Sequence, residues 1–153
     1  MIASLLLIVH ALSAVVWVGG MFFAHQVLRP AAASLEPGPR LTLWSHVLGR
    51  FFAWVFAAII LLQLTGYALV FGVFAGFSGV GLHVHLMQGI GIVMMLLFLH
   101  LYFAPWRRFR AAVARQDWAE GGLHLGQIRT IVTINLVLGV IVVAIGSSGR
   151  YWG

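Results

Sequence analysis

Seven histidines occur in a chain of 153 residues that is otherwise strongly apolar: His10, His25, His46, His83, His85, His100 and His124. Ionisable groups are costly inside a bilayer, so those within apolar runs are candidates for function. Their spacing suggests what chemistry. His10 and His25 are fifteen residues apart, and so are His85 and His100. In a straight helix fifteen residues rise about 22 Å and return to within about 60° of the starting face. If the two helices run parallel, His10 can meet His85 near one membrane face and His25 can meet His100 near the other. Each pair would supply two imidazoles to one iron, the ligand set of an electron-transferring b-type haem. The expectation is therefore one or two b haems carrying electrons across or within the membrane.

Other residues fit this scheme in supporting roles. Arg50 and Arg129 can pair with haem propionates, although arginines at helix ends also serve topology. Gly19, Gly20, Gly66, Gly89, Gly91 and Gly139 would let a porphyrin approach the backbone, or would let helices pack closely. Gln63, Thr65, Gln88, Thr130, Thr133 and Asn135 can hydrogen-bond to a cofactor's ligands or simply join helices. Copper is the rival cofactor, because imidazole and thioether bind it well. His83, His85 and Met87 form its candidate site, with Met94 and Met95 deeper on the same span. His46 and His124 are expected in or beside loops.

These residues need elements to hold them. Hydrophobic residues make up 62% of the chain and charged residues 8%, with mean hydropathy +1.04, whereas soluble domains carry about 25% charged residues. Four apolar runs, at about 2–24, 51–74, 82–104 and 128–146, are each near the roughly 20 residues that cross a bilayer as a helix. None alternates strictly, as a barrel strand would. The expected fold is one all-α domain, a four-transmembrane-helix bundle. The first run lacks a basic leader and is too long for a signal peptide, so it reads as a retained helix. Glu36-Pro37-Gly38-Pro39 should break the chain between spans one and two, and Pro105 should end or kink span three. An amphipathic stretch, Trp106-Arg107-Arg108-Phe109-Arg110, should follow.

Arginine sets the expected orientation. The chain has nine arginines and no lysine. Arg29, Arg40, Arg50, Arg107, Arg108, Arg110, Arg115 and Arg129 flank the first and third connectors, and Arg150 alone lies on the other side. The positive-inside rule makes both long loops cytoplasmic and both termini external. Trp44, Tyr102, Trp106, Tyr151 and Trp152 are placed as an interfacial aromatic belt. Spans one and three then run parallel. The net charge of +6 reflects this topology rather than nucleic-acid binding. Absence of cysteine excludes iron–sulfur clusters and covalently attached haem.

Three segments also resemble known membrane proteins. His10-Ala-Leu-Ser-Ala-Val-Val-Trp17-Val-Gly-Gly20 resembles the first-helix signature of the copper-resistance protein D (CopD) family and of the related HemJ-type protoporphyrinogen oxidases. Leu97-Phe-Leu-His100-Leu-Tyr102 is similar to their histidine-bearing third helix. Arg129-Thr-Ile-Val-Thr-Ile-Asn135-Leu-Val-Leu-Gly139 is similar to the CopD fourth helix. The resemblance implies a small helical protein of a bacterial cytoplasmic membrane, linked to copper in one branch and to haem in the other. It implies roles for His10 and His100, with Trp17 and Gly20 packed beside the cofactor. The HemJ branch's Leu-Pro-Arg and Asn-Glu-x-Pro motifs are missing, which weighs against protoporphyrinogen oxidation. Partners implied are lipid and a quinone or redox protein. A homo-oligomer, or a structural subunit of a larger complex, is the remaining alternative.

Overall fold

A computed structural model describes residues 1–152; Gly153 and the Arg150 side chain, the lone cation assigned to the far side, lie outside the described residues. The chain forms four helices long and apolar enough to cross a membrane: α1 Ile2–Ala32, α2 Pro37–Gly72, α3 Leu82–Ala114 and α4 Trp118–Ser148. No strand occurs among the described residues. A multi-pass helical membrane protein follows, since helices satisfy every backbone group without water.

All four helices extend past the apolar runs at the Arg-rich end. Pro37 and Pro39 open α2 instead of breaking it, because the first helical turn needs no amide donor from proline. The break falls at 33–36, just before them. Pro105 neither ends α3 nor leaves it fully α-helical. It lies in a π-helical turn, Tyr102–Trp106, inside a continuous helix. A π turn already relaxes the regular hydrogen-bond ladder, which accommodates a residue without an N–H. α1 has the same device: π turns at Val15–Gly19 and Phe23–Leu28 precede Pro30.

Beyond Pro105, Arg107–Ala114 is amphipathic as expected. It exposes Arg107, Arg108 and Arg110 and buries Phe109 and Ala112. α4 begins on Asp117, whose carboxylate accepts the Glu120 N–H at 3.0 Å, a favourable N-cap. The helix extensions also relocate two histidines expected in or beside loops. His46 sits exposed on α2 and His124 is buried on α4.

The bundle packs α1 on α2 and α3 on α4, with α4 also against α1 and α2. Phe98 of α3 is the aromatic hub. It meets Trp17 of α1 edge-on and lies 5.5 and 5.0 Å, centroid to centroid, from Phe52 and Phe56 of α2. Trp44 and Trp106, expected at the lipid interface, are instead 4% and 3% exposed and belong to this core. Their indoles fill space where the extended helices converge. Large apolar side chains such as Leu5, Trp54, Leu64 and Phe103 face outward, as a lipid-facing surface requires.

Candidate functional site

The histidine pairs drawn from spacing have different neighbours in the fold. His10 Nδ1 lies 2.9 Å from Thr65 Oγ1 of α2, and the ring rests over Gly66. His85 is exposed and lies beside Phe77 of the connecting turn, ring centroids 5.8 Å apart. His25 Nε2 lies 2.9 Å from Thr133 Oγ1 of α4. His100 is exposed on the bundle surface. Each histidine of α1 is thus bonded to a helix other than α3.

The residues expected to pack beside a cofactor have protein neighbours too. Trp17 is buried against Phe98. The ring of Phe51 covers Gly20, leaving no room for a Cβ there. Arg50 is exposed, while Arg129 is half-buried with its Nε enclosed and unpartnered. The intramembrane polar residues mostly join helices. Asn135 Nδ2 donates to the Met94 carbonyl at 3.1 Å, and Gln88 Nε2 donates to the Tyr67 hydroxyl at 2.8 Å.

The copper candidates divide by helix face. His83 and Met87 are four residues apart, so they share a face of α3. His85 is turned away by about 160°. The shared face lies on α4. Gly149, the residue that follows α4, passes so close to His83 that a Cβ there would overlap it. A Cβ at Gly146 would stand 3.0 Å from Met87 Cε and 3.3 Å from its sulfur. One step deeper, a Cβ at Gly139 would stand 3.2 Å from Met94 Cε and 2.8 Å from Val18 of α1. An imidazole and two thioethers therefore line one seam, from the Arg-poor end toward the middle of the bundle. Gly146 and Gly149 were not expected here. Their only sequence signal is an interval: Gly139 and Gly146 repeat the seven-residue spacing of Met87 and Met94.

Such a seam offers soft donors without thiolate. Among the described residues no three or more histidines or carboxylates gather as a metal-binding group. The donors along the seam are the His83 imidazole and the Met87 and Met94 thioethers. Thioethers favour monovalent copper over harder ions, and imidazole is also a copper ligand, so this donor set is compatible with that ion.

A second cluster lies at the Arg-rich end. His25, Arg29, Trp44 and Arg129 line a cavity of about 20 Å³ whose other walls are apolar. The guanidinium carbon of Arg129 stands 6.0 Å from the centroid of the Trp44 ring, within cation–π range.

Comparison with known families gives one finding. The family model for copper resistance protein D matches residues 45–148. The match contains α3 with His83, Met87 and Met94, and all of α4, but not α1 with His10 and His25. Neither a search of curated proteins nor one of solved structures returned a match.

Proposed function

Because the chain belongs to the copper resistance protein D family, we propose that it handles copper as cargo in the membrane, accepting the monovalent ion at the Arg-poor end of the α3–α4 seam. The observation that carries this reading is the shared face of His83, Met87 and Met94 against Gly149, Gly146 and Gly139. His83 and Met87 are separated by about 6 Å along the helix and Met94 by a further 10 Å or so. His83 and Met87 form the receiving pair, and Met94 the next donor inward. On the positive-inside rule, this reading has the mouth open to the external face of the membrane.

The test is titration of the purified protein with monovalent copper against a chromophoric chelator. Wild type should retain copper in competition. The double variant H83A/M87L should lose it, while His46→Ala should behave as wild type. Equal retention by the double variant would overturn the reading.

One observation favours a second reading. Thr65 donates its hydroxyl to the Leu61 carbonyl at 2.6 Å, so its oxygen is free to accept the His10 Nδ1–H. The Nε2 lone pair is left for a metal, an arrangement common in metal-ligating histidines. This supports b-type haem on His10, with electron transfer as the activity. Reducible Soret and α bands that vanish in His10→Ala would establish it. A colourless protein after haem-replete expression would remove it.

A further inference from the structure

The mouth of the α3–α4 seam carries one residue that the receiving pair does not use. Past the end of α4 the chain makes a single 3₁₀ turn, Gly149–Tyr151, and Trp152 follows it. Gly149 is buried against His83, and this contact lays the turn over the start of α3. The Trp152 ring then lies beside the His83 ring, with centroids 6.4 Å apart and planes inclined at 76°. Glycine at 149 permits the approach, since a Cβ there would overlap the histidine. Trp17, Trp44 and Trp106 are at most 5% exposed and belong to the core, whereas Trp152 is 46% exposed. A tryptophan near a helix end ordinarily anchors a span at the lipid interface. Anchoring does not call for an imidazole against the indole, so the pairing with His83 needs a reason of its own.

The spacing of the two rings supplies one. Gly149 backs onto His83 Cβ, Cγ and Cδ2, and Gly81 onto its Nδ1 and Cε1. Nε2 is the one ring atom outside these nearest contacts. A metal ion on an imidazole nitrogen stands about 2 Å from it in the ring plane, and so roughly 3 Å from the ring centre. The 6.4 Å between the ring centres therefore accommodates an ion on His83 that also touches the indole. Tryptophan is the strongest aromatic partner for a cation, which binds over its face within about 6 Å of the centre. One imidazole and one thioether are only two donors, so an ion held by them has an open side. A hard divalent ion would need oxygens there, which an indole does not offer. We propose that Trp152 is the third element of the receiving site, its indole covering the open side of a monovalent copper ion held by His83 and Met87. This rests on the copper reading above and adds to it the residue that favours an ion of low charge.

The experiment titrates the full-length protein in oxygen-free detergent with monovalent copper against a chromophoric chelator, and records tryptophan emission at each point. In wild type, emission should fall saturably as copper is retained, because an ion against the indole quenches it. Trp152→Leu should weaken retention roughly two- to thirtyfold, the span of cation–π contacts from exposed to desolvated sites. Trp152→Phe keeps a ring, so it should weaken retention by a smaller factor while losing most of the copper-dependent quench. Trp54→Phe, a ring that faces outward on α2, should change neither readout. Should Trp152→Leu fail to fold, Trp152→Phe and its emission carry the test. The proposal is overturned if Trp152→Leu retains copper as wild type does, or if the quench persists in Trp152→Phe. Loss of copper by H83A/M87L in that case leaves the receiving pair standing without its cover. Retention by H83A/M87L removes the receiving pair, and the cover with it.

Discussion

The indole of Trp17 meets the ring of Phe98 edge-on, with centroids 6.2 Å apart and planes inclined at 71°. This contact joins α1 to α3, which otherwise pack mainly against α2 and α4. Phe98 also touches the two α2 aromatics, so one ring ties three helices together. Replacing it with alanine should cost about 3 kcal/mol or more, as for large-to-small changes in packed cores. Unfolding in mixed micelles measures this. A cost below about 1 kcal/mol would show that the hub can collapse around the void.

Glycines should separate into two classes by what a Cβ would meet. Gly139→Ala pushes into Val18 and Met94 and should destabilise by roughly 1–3 kcal/mol, the usual range for overpacking. Gly89→Ala meets nothing within 4 Å and should be neutral or stabilising by up to about 1 kcal/mol, through helix propensity. Equal responses from the two would contradict the close α3–α4 approach.

Much of the fold was legible in the residues. Apolar length alone located four helices, and the arginine asymmetry identified the end they share. The helix ends were not legible, because Pro37, Pro39 and Pro105 read as breakers while the first helical turn and a π turn accommodate them. The histidines' neighbours were not legible either. The π turn Val15–Gly19 lies between His10 and His25, but one extra residue only changes their offset from about +60° to about −40°. The two stay near one face, yet His10 is bonded to α2 and His25 to α4. His85 and His100 have no π turn between them, so their shared face survives, but it is a surface face. Periodicity reports that residues share a face, not which neighbour that face meets.

Asn135 offers a smaller test. Its amide donates to the Met94 carbonyl, and Asn135→Leu should cost about 0.6 kcal/mol, the average for hydrogen bonds between transmembrane helices. Double-mutant analysis with Gly139→Ala should show coupling, since both residues contact Met94. Additive effects would place the two at independent sites.

The Asp117 cap stands apart from the apolar interior. Asp117→Ala removes the acceptor for the Glu120 amide and should lower stability by about 1 kcal/mol. Disrupting the nearby Arg115–Glu120 ion pair, 2.7 Å long and exposed at both partners, should change stability by less than about 1 kcal/mol. A larger effect of the ion pair than of the cap would reverse this ranking.

Orientation can be read directly, because the chain has no cysteine to mask. Ser34 and Ser78 are both exposed, in the turns at opposite ends of the bundle. An impermeant maleimide applied to intact cells should label Ser78→Cys and spare Ser34→Cys. The reverse pattern would invert the topology expected from arginine.

The matched seven-residue intervals along the α3–α4 seam have a consequence for assembly. Met87 faces Gly146 and Met94 faces Gly139, so sliding one helix of this antiparallel pair by seven residues would present Met87 to Gly139 but bring Met94 against Val132. The shifted seam has room for one methionine and not for both. The Asn135–Met94 hydrogen bond and the crossing of His83 over Gly149 belong to the observed alignment too, so packing and hydrogen bonding select the same register.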